Sequence, residues 1–306
     1  MISGGTGLIG THLSILLEKN GCRVIHLSRR RNLTARFAAY QWNIEQQTID
    51  LEAIAQADAI VHLAGANVGN KRWTHSAKQN IINSRIQSTQ LLANALKSVP
   101  NKVNTFIGAS AVGIYGHADP NTLFHEEYPL PEAGSPQSDF LSHIAHQWEA
   151  GYQALQKDMP QLRLAVLRIG VVLAKEGGAL PKMLLPAKVR IINYLGNGLQ
   201  IMPWIHVHDV CQMICFVLQN PQLNGTFNAA APQPVSNKQF AQNLAAVLPK
   251  KTVLLPVPAI ILKIAMGEMA QIVLNGCCPT ADKIRQAGFQ FQFPDLKNAL
   301  NDLLKK

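Results

Sequence analysis

The stretch GGTGLIGTHLSILLEKNG, residues 4–21, joins a glycine-rich turn to a segment with helical apolar periodicity. Gly4, Gly7 and Gly10 lie three residues apart, and glycine lets the backbone turn tightly and approach a bound group closely. The segment after them predicts a helix that ends near Gly21, and the amides at a helix N-terminus bind anions. Because a strand follows this helix, the stretch predicts a site for the pyrophosphate of a dinucleotide.

The predicted strand after this helix covers residues 22–28 and is followed by the arginines at 29–31. An acidic residue here would hold the ribose 2′-hydroxyl of NAD, whereas arginine pairs with the 2′-phosphate of NADP. We therefore predict NADP as the cofactor, with a solvated basic loop as the alternative interpretation of the arginines. The residues predicted to contact the cofactor in these two segments are Gly4, Thr6, Gly7, Leu8, Ile9, Gly10, Ser28 and Arg29.

Short apolar strands alternate with helices along the first part of the chain. Strands are predicted at 58–65, 103–110 and 162–173, with helices at 74–98 and 138–152 between them. This alternation is typical of a parallel sheet with helices on both faces. The fold class predicted is therefore α/β, a Rossmann-type doubly wound parallel sheet with a smaller C-terminal substrate lobe.

The alternation loosens after residue 174, which sets the predicted domain boundary. Residues 1–174 are predicted to form the NADP-binding domain, which also receives part of 200–230, and residues 175–306 to form the smaller substrate lobe and C-terminal region. The elements predicted in this second part are a helix at about 209–220, a helix capped by Ser236 or Asn237, an alternating strand at 288–293 and a final helix.

The most apolar stretch of the chain covers residues 253–274. Two prolines, Lys263 and Glu268 interrupt it, whereas a membrane-spanning helix needs about 20 predominantly apolar residues. A buried helix is predicted here, and contact with a membrane is the weaker alternative.

Composition narrows the remaining classes of partner. The 306 residues carry a net charge of +10, but the basic residues are scattered and no nucleic-acid-binding motif accompanies them. The five cysteines lack a C-x-x-C pair and nearby metal ligands, which indicates reduced thiols in the cytoplasm and no metal site. We expect no nucleic acid and no membrane partner, and a homodimer is possible.

Since a central strand usually has five or six residues, the three residues before the glycine turn suggest that a few N-terminal residues are missing.

Further motifs follow the glycine turn in order along the chain. They are HLAGANV (62–68), RWT (72–74), Ser84 and Arg85 with Thr89, SAVGIYG (110–116), Phe140 and Leu141, Trp148 and Glu149, RIGVVL (168–173), GGAL (177–180), WIH (204–206), APQPVSN (231–237) with Phe240, GEMA (267–270) and GFQF (288–291). Over nearly its whole length the chain thus resembles the extended or atypical branch of the short-chain dehydrogenase/reductase superfamily. More closely it resembles the epimerase-family, or sugar-nucleotide-epimerase-like, proteins, whose C-terminal region of unknown function is similar to the tail from about residue 250.

This resemblance implies roles for four more residues. Leu63 and Ala64, at the end of a strand, would flank the nucleotide, and Val172 would lie by the nicotinamide carboxamide. Arg85 would face the cofactor from the long helix. The alternative for Leu63, Ala64 and Val172 is plain packing within the strands, and for Arg85 it is a surface salt bridge.

The resemblance also implies an acid/base pair that this chain lacks. Active members of the superfamily generally use a serine or threonine together with a tyrosine and a lysine four residues apart, in which the lysine lowers the pKa of the tyrosine. None of the five tyrosines here has a lysine four residues later. Counting back from Glu149, the two positions hold Leu141 and Ala145.

Only a few residues could take over part of that chemistry. Ser110, at the end of a predicted strand, is the predicted catalytic residue, because it could orient a substrate oxygen; capping the next turn is its alternative. Tyr115 could reach the pocket. His143 and His146 are expected in solvent, and His206 in a packed loop rather than in the substrate lobe.

Two functions follow from these predictions. The first is an NADP(H)-binding, epimerase-like oxidoreductase that acts on a hydroxyl or carbonyl carbon of a small molecule, such as a sugar nucleotide or a small carbonyl compound. The second is a non-catalytic NADP(H)-binding sensor or scaffold. The retained Ser110 favours the first, and the missing tyrosine and lysine favour the second.

Overall fold

The structure is a computed structural model that describes residues 1–117, 119, 121–132, 135 and 138–305. In chain order its strands are β1 (Ile2–Ser3), β2 (Ile25–Ser28), β3 (Ala38–Asn43), β4 (Thr48–Ile49), β5 (Ala59–His62), β6 (Thr105–Ala111), β7 (Leu123–Phe124), β8 (Arg163–Ile169), β9 (Val171–Leu173), β10 (Ile191–Leu195), β11 (Trp204–His206), β12 (Gly225–Ala229), β13 (Val253–Val257) and β14 (Cys278–Pro279). Its helices are α1 (Leu8–Lys19), α2 (Leu51–Gln56), α3 (His75–Ser98), α4 (Phe140–Asp158), α5 (Leu180–Leu184), α6 (Val207–Gln219), α7 (Asn237–Val247), α8 (Ala259–Met266), α9 (Gln271–Leu274), α10 (Asp282–Gln286) and α11 (Leu296–Leu304).

The main sheet has the strand order β12-β8-β6-β5-β1-β2-β3-β4 in the described part of the chain. All neighbouring strands in it are parallel except β3 and β4. The chain moves outward from β1 through β2 in one direction and from β5 through β6 in the other. Crossovers between parallel strands are right-handed as a rule and place helices on both faces, and the change of direction between β1 and β5 is where doubly wound sheets open a crevice. The predicted Rossmann-type fold is confirmed.

Four apolar clusters occur in the described part of the chain, and two of them hold most of the buried apolar residues. The larger one fills the main sheet and its helices, and includes Phe106, Leu164 and Tyr152, all nearly inaccessible to solvent. The smaller one joins β10, β11, α7 and α11 around Trp204 and Leu300. β12 returns from the second half of the chain to pair with β8 in the main sheet. The domain boundary at residue 174 stays a prediction.

Two predictions for the C-terminal third are wrong. Residues 288–293 form no strand, because the amides of Gln292 and Phe293 donate to the Asp209 carboxylate at the start of α6 instead. Residues 253–274 form β13, α8, a 3-10 turn and α9 rather than one buried helix, and α8 has no buried residue. Pro258 caps α8 and Gly267 ends it, which breaks the apolar run into short pieces. Within the described ranges, no helix is both long and apolar enough to cross a membrane.

Candidate functional site

The glycine turn packs so closely that side chains are excluded at two of its positions. Gly4 has a φ of +73°, and a Cβ there would lie 2.9 Å from the backbone of Leu63 and Ala64. A Cβ on Gly10 would lie 2.3 Å from the carbonyl oxygen of Gly4. The turn is therefore pressed against the end of β5, so the predicted residues Leu63 and Ala64 border it.

The turn leads directly into the N-terminus of α1. Gly7 is the N-cap residue of this helix, and no side chain caps its first amides in the part of the chain that the structure describes. Thr6 and Gly7 are exposed, and Leu8 and Ile9 are partly exposed. Exposed amides at a helix N-terminus, next to a turn that a Cβ would obstruct, fit a pyrophosphate group.

Gly5 has a structural role that the sequence analysis did not predict. A Cβ at this position would lie 2.4 Å from the ring of His26 on β2. That ring is also 2.8 Å from the Ser14 hydroxyl of α1. The absence of a side chain at Gly5 therefore allows the His26 ring to pack between the turn and α1. In the sequence, only the doubled glycine at positions 4 and 5 indicated this packing.

The loop after β9 reaches the same end of the sheet. Val172 pairs with Ile205 of β11 and is partly exposed. A Cβ on Gly178 would lie 3.1 Å from the Val172 carbonyl oxygen and 3.2 Å from the Leu8 side chain. The structure thus brings the predicted residues Leu8 and Val172 close to the same glycine.

The basic residues after β2 differ in their partners. Arg31 forms ion pairs with Asp50 at 3.3 Å and with Glu52 at 3.0 Å. Among the described residues, Arg29 forms no ion pair, although its backbone carbonyl accepts a hydrogen bond from Gln41. Ser28 is partly exposed beside it. The guanidinium of Arg29 is therefore available to an anionic ligand.

A cavity of about 560 Å³ lies beside Arg29. Its walls include Trp42, Asn43 and Ile44, at the end of β3, and Ser84 on α3. β3 was not predicted from the sequence, and therefore neither were these residues. Because ligands of open α/β sheets bind beyond the carboxyl ends of the strands, this space could hold the adenosine half of a dinucleotide.

Arg85 lies against the loop that follows β5. Its Nη1 donates to the carbonyl oxygens of Ala66 and Ile81, at 3.0 and 3.1 Å, and its guanidinium lies 4.9 Å from the centre of the Trp148 ring. Burial lowers the pKa of Arg85 to about 10. It forms no ion pair with any residue that the structure describes, so a surface salt bridge is not what holds it.

A second space, which we call the inner cavity, adjoins Arg85 and has a volume of about 310 Å³. The residues that shape it include Val68, Ala111, Leu141, Ile144, Ala145 and Trp148. Leu141 and Ala145, at the positions predicted for the superfamily's tyrosine and lysine, both line this cavity. The face of α4 that carries these two residues therefore lines the cavity but supplies neither an acid nor a base at these positions.

Ser110 does not line the inner cavity. Its hydroxyl donates to Oε1 of Glu149 at 2.6 Å, and the residue is 4 % exposed. Side chains alternate along a strand, so the next residue of β6, Ala111, faces the cavity instead. The catalytic role of Ser110 stays a prediction, and the direction of its hydroxyl does not favour it.

Ser110 belongs to a buried polar network whose members do not line the inner cavity. Arg168 makes two hydrogen bonds to the carboxylate of Glu149, at 2.9 and 2.8 Å, and a third from Nη1 to the hydroxyl of Tyr115 at 2.9 Å. That hydroxyl donates to Oδ1 of Asn228 at 2.8 Å. Burial raises the pKa of Tyr115 to about 12. Tyr115 is thus held away from the cavity and unsuited to replace the missing tyrosine.

The histidines named in the sequence analysis lie outside the inner cavity. His143 is exposed, as expected, but His146 is partly buried and burial lowers its pKa, so the expectation of a solvated His146 is wrong. His206 caps α6 by accepting from the amide of His208, and stacks on Phe293 at 4.0 Å. It is a packed residue. No cluster of three or more potential metal ligands occurs among the described residues.

Together, the fold and the site geometry define a nucleotide-binding protein of Rossmann type with an adjoining small cavity. Comparison with known sequences agrees: the model of the NAD dependent epimerase/dehydratase family matches residues 1–230, and that of a domain of unknown function, DUF1731, matches residues 257–303. The chain belongs to the NAD dependent epimerase/dehydratase family.

Relatives match along the whole chain. The epimerase family protein YfhF of Bacillus subtilis is 37% identical over 305 residues, which cover 99% of this chain and 97% of YfhF. The epimerase family protein SAR0825 of Staphylococcus aureus is 34% identical over 308 residues, covering 100% and 99%. Among solved structures, the human epimerase family protein SDR39U1 with NADPH is 30% identical, with a TM-score of 0.86 over 99% of this chain and 97% of that one. A nucleoside-diphosphate sugar epimerase from Corynebacterium glutamicum is 26% identical, with a TM-score of 0.76 over 99% and 57%.

Proposed function

We propose that the protein binds NADP(H) at the glycine turn and that the inner cavity holds a small-molecule substrate of an oxidoreductase. The observation that carries this proposal is the pairing of uncapped α1 amides with the unengaged guanidinium of Arg29. The amides would hold the pyrophosphate, and Arg29 with Ser28 would hold the 2′-phosphate. The human relative solved with NADPH supports this choice of cofactor.

The inner cavity suits hydride transfer to a carbonyl carbon. When bound, the reduced nicotinamide would supply a hydride to that carbon, while the oxygen takes a proton, so that a carbonyl compound and NADPH give an alcohol and NADP⁺. Leu141 and Ala145 cannot supply the proton, and the Asp139 carboxylate in the wall is held by the Ser142 amide, so water that enters the cavity would supply it. The walls of this chain would therefore position the substrate and exclude most of the solvent, with little acid/base catalysis.

A second candidate is a non-catalytic sensor or scaffold that binds NADP(H). The observations that favour it are the apolar side chains of Leu141 and Ala145 and the engagement of Ser110 by Glu149. Under this proposal the inner cavity would recognise the state of the nicotinamide without transferring a hydride. The cytoplasmic location and a homodimer stay predictions under both proposals.

Two measurements separate these candidates. Calorimetry with NADPH and NADH tests the cofactor site, and we expect NADPH to bind more tightly; absence of heat with either would contradict both proposals. NADPH that carries deuterium on the transferable position is then incubated with carbonyl compounds and sugar nucleotides. Deuterium in a product supports the oxidoreductase, whereas tight binding without transfer supports the sensor.

A further inference from the structure

A third space, which we call the outer cavity, adjoins the inner cavity and has a volume of about 430 Å³. Val68 and Ile272 line both, so the two spaces share a wall. The outer cavity extends into the second lobe between α7 and the segment around α9. A ligand that extends from the inner cavity into the outer one would have to pass the Val68 and Ile272 side chains that line both.

The walls of the outer cavity are mainly apolar. They include Met183, Phe240, Leu244, Met266, Met269 and Val273. Methionine side chains are flexible and adapt to the shape of an apolar ligand. A few polar side chains, including Asn67, Lys182 and Asn237, also line this cavity. A mainly apolar lining with a few polar groups is the usual composition of a site for an apolar small molecule.

Each of the three charged side chains in both walls makes at least one hydrogen bond within the protein, although Arg85 uses only its Nη1. Arg85 donates to two backbone carbonyls, and the Asp139 carboxylate accepts from the amide of Ser142 at 2.9 Å. In the outer cavity, Nζ of Lys182 donates to the Gly69 carbonyl oxygen at 3.1 Å. These are the only charged residues in the described walls of the two spaces.

A sugar nucleotide would place a diphosphate in this region. Proteins bind such groups with arginine or lysine side chains that are free to donate, often in pairs. The residues between 118 and 137 that the structure leaves undescribed include no charged side chain in the sequence. The uncharged amides of Gln271 and Asn275 are the polar side chains of the inner wall that suit a small polar group instead.

From these observations we propose that the substrate is an elongated apolar carbonyl compound, an alkyl or aryl ketone or aldehyde, rather than a sugar nucleotide. Its carbonyl end occupies the inner cavity, and its apolar tail occupies the outer one. This inference rests on the proposed oxidoreductase function for the chemical step, but the binding of the apolar tail is a property of this chain's own walls.

The test measures binding without requiring turnover. Calorimetry with NADP⁺ present is carried out with methyl ketones from 2-butanone to 2-decanone, and with UDP-glucose. Burial of each added methylene is expected to lower the Kd about two- to fourfold until the outer cavity is full. A Kd that does not change with chain length, or tighter binding of UDP-glucose than of 2-decanone, would overturn the proposal.

Paired variants locate the tail. Met269→Trp fills part of the outer cavity and should remove the gain in affinity for the longer ketones while the Kd of 2-butanone changes less than about twofold. Met183→Trp is a second, independent obstruction with the same expected result. Ile264→Trp is the control, because Ile264 is 72% exposed on α8 and lines neither space. If both obstructing variants fold, as judged by their circular dichroism, and retain the full chain-length dependence, the placement of the tail is wrong.

The same samples distinguish this inference from the proposed function. NADPH affinity and deuterium transfer are measured for each protein alongside the ketone series. If the Kd depends on chain length but no deuterium is transferred, the apolar site is supported and the oxidoreductase function is contradicted. If deuterium is transferred to a sugar nucleotide but to no ketone, the oxidoreductase function is supported and the apolar substrate is contradicted.

Discussion

Arg29 and Arg31 stand two residues apart after β2 in different electrostatic surroundings. The Arg31 guanidinium is engaged by the carboxylates of Asp50 and Glu52, which hold it beside α2. Arg29 has no carboxylate partner among the described residues and lines the cavity at the end of β3. Since a guanidinium that already has two carboxylates gains less from a phosphate, the two side chains should contribute unequally to cofactor binding.

The first prediction follows from this difference. Arg29→Ala should weaken the binding of NADPH about ten- to hundredfold, the usual range for a charge-assisted contact, and should change the Kd of NADH less than about twofold. Calorimetry with both nucleotides measures the effect, and Arg31→Ala is the matched control. An equal loss of affinity for NADPH and NADH would show that Arg29 does not contact the 2′-phosphate.

The second prediction concerns the ion pair of Glu149 and Arg168, whose side chains are 7% and 5% exposed. Removing one member of a buried pair leaves the other charge unpaired away from water. Glu149→Ala should therefore lower the free energy of unfolding by about 3–5 kcal/mol.

Urea unfolding measures this loss. Asp158→Ala is the control, because Asp158 pairs with Lys97 at the surface, where such pairs contribute about 0–1 kcal/mol. Similar losses for the two variants would mean that water reaches the network around Arg168.

At the scale of single elements, α4 and β6 show what local pattern can and cannot predict. The helix at α4 was predicted, and Leu141 and Ala145, the two positions counted back from Glu149, line the inner cavity. On β6, a hydroxyl at the end of a strand suggested Ser110. A strand with both faces buried gives no alternation of polar and apolar residues, so the sequence did not reveal that Ala111 faces the cavity.

Long-range contacts account for the other errors. Residues 288–293 alternate as a strand does, but the carboxylate of Asp209, distant in sequence, takes two of their amides. β3 was missed although it pairs with β2 along four residues. The glycine turn, by contrast, depends on contacts within a few residues and on one neighbouring strand, and its position was predicted correctly from local spacing alone.

The third prediction tests whether α4 still has the geometry for acid/base chemistry. The double variant Leu141→Tyr with Ala145→Lys places a tyrosine and a lysine four residues apart on the face that lines the inner cavity. If that cavity holds a carbonyl group beside the nicotinamide, the rate of deuterium transfer from labelled NADPH should rise about a hundredfold or more.

The control for this experiment keeps both residues but moves them off the cavity. His143→Tyr with Gln147→Lys has the same spacing on α4, and neither residue lines the inner cavity. An equal rate increase in the control, or none in the Leu141 and Ala145 variant when NADPH binding is intact, would contradict the proposed position of the substrate.

At the scale of the whole molecule, each of the two large apolar clusters has a buried histidine within it or packed beside it. His62 is fully buried in the main core, where its ring nitrogens lie 2.6 Å from the Ser3 hydroxyl and 3.1 Å from that of Ser88. Burial lowers the pKa of His62 to about 3. In the second lobe, burial lowers the pKa of His206 to about 4. Protonation of His62 would place a charge inside the core, whereas protonation of His206 would place one 3.4 Å from the Asp302 carboxylate.

The fourth prediction is that mild acid destabilises the protein through these histidines. An unfolded histidine has a pKa near 6.5, so between pH 6.5 and about 5 the unfolded chain binds protons that the folded chain does not. The free energy of unfolding should fall as the pH falls, by about 1.4 kcal/mol per pH unit for each such histidine once the pH is well below 6.5. This contribution is fully present above pH 6.5.

Urea unfolding at a series of pH values measures this slope. His62→Gln should reduce the dependence of the unfolding free energy on pH by about the contribution of one histidine, whereas His75→Gln, at an exposed position, should leave it unchanged. Parallel curves for the wild-type protein and His62→Gln would mean that water or a proton reaches His62 in the folded state, and that the core around Ser3 and Ser88 is looser than its hydrogen bonds indicate.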